Sequence, residues 1–216
     1  MKLTIVYDNE VYKKGCGLQS DWGFSCLIEN KTQSILFDTG AKGEILLNNM
    51  KKLNIDPDTI TTIVISHEHW DHNGGLSALS SLAHNVKLFR FSQKKPSDTM
   101  HLVSSEKMGE IADKIVTTGR LKGSPVDEQS LVLKGDNGWY VLAGCSHPGV
   151  KAILDVAGQQ GIIVGLIGGL HGFNNFNILE GLDLICPCHC TKHKQQIKSL
   201  FPSLSVEGGV GRIIEI

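Results

Sequence analysis

Six consecutive residues, His67-Glu68-His69-Trp70-Asp71-His72, concentrate three imidazoles and an aspartate directly after the apolar run Thr62-Ile63-Val64-Ile65. Imidazole nitrogen and carboxylate oxygen are the donors that zinc and related divalent ions prefer. In extended chain, side chains two apart share a face, which would aim His67, His69 and Asp71 in one direction. His72 breaks that alternation, and Asn73-Gly74-Gly75 behind it permits a turn. The pattern predicts a loop at a strand's end that curls around metal. Four donors in so tight an arc suit two adjacent ions better than a single tetrahedral centre. A solvated, histidine-rich loop is the plain alternative, and the spacing beside a buried-type strand weighs against it.

Two four-coordinate ions need about eight ligand positions, so more donors must come from elsewhere. Three later strands each run into a histidine beside Gly or Pro. Trp139–Gly144 leads to Cys145-Ser146-His147-Pro148-Gly149, and Ile162–Ile167 leads to Gly168-Gly169-Leu170-His171-Gly172. Leu182–Cys186 leads to Pro187-Cys188-His189-Cys190-Thr191. Ligands and catalytic groups gather on loops at one edge of a sheet. His147 and His189 are therefore candidate metal ligands, and His171 stands evenly between functional group and structural histidine. His84, His101 and His193 have no such setting and read as surface residues.

The elements that must position these groups are short β-branched runs: Leu3–Tyr7, Phe24–Ile28, Ile35–Asp38, Thr61–Ile65, Val86–Phe89, Lys114–Thr117, Ser130–Leu133, Trp139–Ala143, Ile162–Ile167, Leu182–Cys186 and Arg212–Glu215. Helical spacing appears at Glu44–Leu53, at Val150–Ala157 and at Lys194–Phe201, the last ended by Pro202. Residues 92–110 are polar and read as an irregular insertion, either a lid facing substrate or a plain surface loop. With 216 residues and 41% apolar side chains, one domain spanning 1–216 with layered sheets and helices is expected.

A net charge of −1 without a basic cluster argues against a nucleic-acid partner. No apolar stretch approaches the roughly 20 residues of a membrane span, and Met1–Asp8 reads as a first strand rather than a signal peptide. A soluble, cytoplasmic protein acting on a small molecule is expected, and oligomeric state is unreadable. The six cysteines lack paired Cys-x-x-Cys spacing and are expected to be reduced and packed in the core.

The motifs resemble those of the metallo-β-lactamase superfamily over nearly the whole chain. Leu36-Phe37-Asp38-Thr39-Gly40 is similar to the family's first motif, in which the aspartate braces the metal loop. Ile65-Ser66-His67 through Asp71-His72-Asn73-Gly74-Gly75-Leu76 resembles its metal-binding signature. Gly144–Gly149, Gly168–His171 and Pro187–Thr191 resemble one branch, the metal-dependent hydrolases of β-lactamase superfamily II. That branch includes an archaeal enzyme joining a dihydropterin to ribofuranosylaminobenzene phosphate.

The resemblance implies an α+β, four-layer αββα sandwich. It implies that His67, His69 and His147 bind one divalent ion and that Asp71, His72 and His189 bind a second. Zn2+ is expected, with Mn2+ or Fe2+ as alternatives. The chain departs from the family in two places. A bridging aspartate is absent near Gly168-Gly169, leaving solvent, His171 or Cys145 to complete the shell, and Lys192 stands where the branch often has glycine.

Two close cations would lower the pKa of a shared water and polarise a carbonyl or phosphoryl oxygen. Asp71, orienting the resulting hydroxide, and His171 are the candidate catalytic groups. The expected activity is a metal-dependent hydrolase of an ester, lactone, thioester or phosphoester. The alternative is a transferase joining a pterin-like substrate to an aromatic ribosyl phosphate, and a non-catalytic metal-binding protein is a third reading.

Overall fold

The β-branched runs are strands in the computed structural model, which describes residues 1–216. They divide between two units, Met1–Ser105 with Gly208–Glu215 and Glu106–Glu207 with Ile216. No helix is long and apolar enough to cross a membrane.

The first unit holds a seven-stranded sheet. Its strands are β1 (Lys2–Tyr7), β2 (Ser25–Glu29), β3 (Ser34–Phe37), β4 (Thr62–Val64), β5 (Val86–Phe89), β6 (Met100–Val103) and β13 (Ile213–Glu215), in the order β13-β1-β2-β3-β4-β5-β6. The pairs from β13 to β3 are antiparallel, and those from β3 to β6 are parallel. Parallel neighbours need crossovers. The helix α1 (Gly43–Lys52) links β3 to β4, while α2 (Trp70–Asn73) and α3 (Leu76–Leu79) lie between β4 and β5. In register across the sheet, Leu27, Leu36, Ile63 and Leu88 pack with Leu46 and Met50 of α1 and with Leu76 and Leu79 of α3. Their alternates Ile28, Ile35, Val64 and Phe89 are buried too, which is why these strands read as near-continuous apolar runs.

The second unit holds six strands in the order β12-β11-β10-β9-β8-β7. They are β7 (Lys107–Ala112), β8 (Ile115–Gly119), β9 (Leu131–Lys134), β10 (Trp139–Ala143), β11 (Ile163–Gly169) and β12 (Leu184–Cys188). The strands from β7 to β10 form an antiparallel meander, and β10, β11 and β12 run parallel. Between β10 and β11 lies α4 (Val150–Ala157), whose Val150, Ile153 and Ala157 enter the core beside Val141, Leu166 and Ile185. The last helix, α5 (Lys194–Leu200), adds Ile197 to that cluster.

Three expectations are corrected. Residues 92–110 are not wholly irregular, because β6 and β7 lie within them. Both are largely exposed strands, so the apolar alternation that marks a strand is missing. The last strand of the second sheet continues through Pro187 to Cys188, an edge position at which a missing N–H is tolerated. Cys16 is exposed, while the other five cysteines are buried, and all six are free thiols.

Candidate metal centre

In the first unit the donors stand on one loop at the carboxyl end of β4. Extended chain stops sooner than the alternating pattern suggests. His69 caps the short helix α2, and Asn73 N donates back to His69 O at 3.1 Å. Asp71 and His72 therefore ride on a helical turn, and both are buried.

A buried carboxylate at the end of β3 organises this loop. Asp38, in the left-handed region at φ 59°, is wholly buried. Its Oδ1 accepts from Ser66 N at 2.7 Å, and its Oδ2 accepts from Ser66 Oγ and from His72 Nδ1, each at 2.7 Å. Thr39 N and Oγ1 both donate to His72 O, at 2.7 and 3.0 Å. Fixing the Nδ1–H of His72 on Asp38 leaves Nε2 as its lone-pair atom, the tautomer that metal binding requires. The bracing role expected for Asp38 is thus the one its contacts display.

His67 Nε2 and His69 Nδ1 are 3.1 Å apart, and the rings of His67 and His72 stack obliquely at 4.1 Å. Two nitrogens on one tetrahedral zinc at 2.0–2.1 Å would stand about 3.3 Å apart, so this donor pair fits a shared ion. Asp71 Oδ2 accepts from Trp22 Nε1 at 2.8 Å and lies 3.9 Å from His72 Nε2.

Glu68 faces away from this chemistry. It accepts from Arg90 Nε at 3.1 Å, from Ser92 N at 3.0 Å and from Asn73 Nδ2 at 3.1 Å, and its second oxygen pairs with the Arg90 fork. Burial works against the charged form, but Arg90, Ser92 and Asn73 outweigh it and hold the carboxyl below its ordinary value. A depressed carboxyl stabilises the fold above its unfolded pKa of about 4.3, and that contribution drains away as pH falls through the folded value. Glu68→Gln is accordingly expected to flatten the acid limb of a stability–pH curve below about pH 4.3, read by urea unfolding at stepped pH. An unchanged acid limb would show that the Arg90 clamp contributes nothing.

In the second unit three histidines follow the parallel strands β10, β11 and β12, whose carboxyl ends share one sheet edge. His147 is tied down by Glu128, a wholly buried carboxylate just before β9. Glu128 Oε1 accepts from the backbone N–H of Gly144, Cys145 and Ser146 at 2.9–3.1 Å. Its Oε2 accepts from His147 N at 2.9 Å and from His147 Nδ1 at 2.8 Å. His147 Nε2 is thereby left as the lone-pair atom, and it lies 3.0 Å from His171 Nε2. Sequence reasoning missed Glu128, because a lone glutamate before a strand carries no spacing signal.

His171 and His189 sit in the left-handed region, at φ 46° and 47°, so the chain turns sharply at each. Lys192 N donates to His171 O and Thr191 Oγ1 accepts from Leu170 N, which ties the two turns together. Cys145 Sγ and Cys190 Sγ are in hydrogen-bond contact at 3.3 Å. The hydrogen bond with Cys145 draws the Cys190 thiol well below its ordinary range; burial opposes this and His171 assists it. His171 is raised in turn, chiefly by its hydrogen bond to Cys190. The sequence motifs thus bring His67, His69, Asp71 and His72 together in one unit, and His147, His171 and His189 to one sheet edge in the other.

The Metallo-beta-lactamase superfamily model matches residues 23–165, more than half of the chain. A Methanocaldococcus jannaschii protein, 7,8-dihydropterin-6-methyl-4-(beta-D-ribofuranosyl)-aminobenzene-5'-phosphate synthase, is 29% identical over 82% of this chain and 83% of its own. Among solved structures, Tm1679, a metal-dependent hydrolase of the beta-lactamase superfamily, aligns at TM-score 0.80 and 24% identity over 100% of this chain and 99% of that one. The metallo-beta-lactamase fold protein YhfI from Bacillus subtilis aligns at TM-score 0.74 and 13% identity over 99% of each. Two mixed sheets with helices are the α/β fold of these proteins, as the motifs implied.

Proposed function

Because this chain belongs to the metallo-beta-lactamase superfamily, we propose that it is a metal-dependent hydrolase of an ester, lactone, thioester or phosphoester in a small molecule. The observation that carries the reading is a repeated device. Two histidines, His72 and His147, each have Nδ1 committed to a buried carboxylate, which dedicates Nε2 to a ligand. Nothing in core packing calls for that arrangement twice.

In this reading His67, His69 and His147 hold one divalent ion, and Asp71, His72 and His189 hold another, with zinc as the preferred metal. The ions would supply Lewis acidity and a nucleophile derived from water at neutral pH. The protein's own groups do the rest. Trp22 fixes Asp71 through Oδ2, and Asp71 orients the attacking water by accepting its hydrogen bond. His171, exposed beyond the end of β11, is the candidate to touch substrate and to give a proton to the leaving atom. Asp38 and Glu128 act through the histidines they orient.

The test combines a metal count with turnover. Protein loaded with zinc or manganese is expected to bind about two ions per chain and to cleave at least one member of a phosphodiester, lactone and thioester panel. His69→Ala is expected to lose both turnover and metal. A preparation that takes up no metal, or whose turnover survives His69→Ala, would sink the reading.

The likeness to the M. jannaschii synthase supports a second reading, a transferase joining a pterin-like substrate to an aromatic ribosyl phosphate. Inertness on the whole panel, together with a pterin carried through purification, would favour it. Metal uptake without either behaviour would favour a binding protein.

A further inference from the structure

The buried sulfur pair of the second unit has no part in the ligand set above. Cys145 follows β10 and Cys190 follows β12, and both are at most 6% exposed. The donor atoms of Cys145, His189 and Cys190 all lie within 4.8 Å of one another. Those of Cys145, His147 and His171 do so as well, which places Cys145 in both groups. Two 2.3 Å zinc–sulfur bonds at the tetrahedral angle would set the sulfurs about 3.8 Å apart, so the observed pair needs only a half-ångström adjustment.

The neighbouring backbone keeps this space for sulfur. A Cβ on Gly169 would stand 2.8 Å from Cys190 Sγ and 2.3 Å from Gly144 O. One at Gly168 would stand 1.9 Å from Ala143 O. No side chain from the end of β11 can enter there, and the thiol of Cys190 fills the room it would take.

We propose that Cys145 and Cys190 ligate, through sulfur, the ion assigned to His189. This inference rests on the reading of His189 as a metal ligand. It gives a two-sulfur, one-imidazole set within one unit, and it makes the site select zinc over manganese. On binding, both sulfurs coordinate as thiolates, and any proton still held on sulfur leaves to solvent.

Cobalt(II) is the probe, added to the reduced full chain under exclusion of air. The wild type is expected to show a sulfur-to-cobalt charge-transfer band in the near ultraviolet beside the visible ligand-field bands. Cys145→Ser and Cys190→Ser are each expected to remove about half of that band, and the double variant all of it. The double variant is also expected to lose about tenfold or more in its preference for zinc over manganese. X-ray absorption at the zinc edge of the wild type needs no variant, and should show sulfur at about 2.3 Å.

Bound cobalt with ligand-field bands but no charge transfer would overturn the sulfur assignment while leaving the metal reading intact. A two-hydrogen mass deficit that persists once the metal is stripped and the chain denatured would also overturn it, since the sulfurs would then be joined as a disulfide. Failure to take up cobalt or zinc at all would overturn both readings together.

Discussion

Glu128→Ala is expected to leave little or no folded protein. The carboxylate is wholly buried and accepts from four consecutive backbone N–H groups, Gly144 to His147, and from the His147 ring. Each buried donor left without an acceptor costs about 1–3 kcal/mol. A domain's whole stability is about 5–15 kcal/mol, and a loss of about 5 kcal/mol or more is expected here. Urea unfolding of any soluble product measures it. A decrease below about 1 kcal/mol would show that water substitutes for the carboxylate.

Glu128→Gln separates folding from metal binding. The three donors on Oε1 hold the amide oxygen in place and turn its NH2 towards His147, whose backbone N–H loses its acceptor at a cost of about 1–3 kcal/mol. The ring must then accept at Nδ1 and carry its proton on Nε2, where the ion would bind. A folded protein with about 10–100-fold weaker metal affinity is expected, read by competition with a chromogenic chelator. Unchanged affinity would remove Glu128 from the argument.

Gly168→Ala is the second large effect. Gly168 sits within β11 at φ 120°, paired with Ala143 of β10. The added Cβ would stand 1.9 Å from Ala143 O and 2.9 Å from Ala143 C, so backbone must move in the middle of a sheet. The strained dihedral and the clash together are expected to cost about 3–5 kcal/mol, lowering Tm by roughly 10 °C in a chain of this length. Gly158→Ala is the control. It has φ −60° at the end of α4 with nothing within 4 Å, so its Tm is expected to hold or to rise slightly. Equal Tm values for the two variants would refute the account of Gly168.

Much of this was legible from residue types and their spacing. The histidine cluster after β4 announces itself because four donors in six positions have no use in a core. The span of α4 is legible for a related reason, since Val150, Ile153, Leu154 and Ala157 repeat at helical spacing. What stayed hidden depends on partners far away in sequence. Trp22 gains its role from Asp71, and Glu128 gains its role from a turn 16 to 19 residues later. The strands β6 and β7 escaped notice because exposed strands need no apolar alternation. The early turn at His69 was also invisible, because an alternating pattern cannot show where extended backbone gives way to helix.

The pairing of β13 with β1 has a consequence for synthesis. Lys2 lies opposite Glu215, so β1 leaves the ribosome long before its β13 neighbour exists. Until then the outer rim of β1 presents unsatisfied peptide groups to any passing strand. Translation that stalls before Gly208 would leave a nascent chain with this rim uncovered, an adhesive intermediate of the kind that chaperones bind.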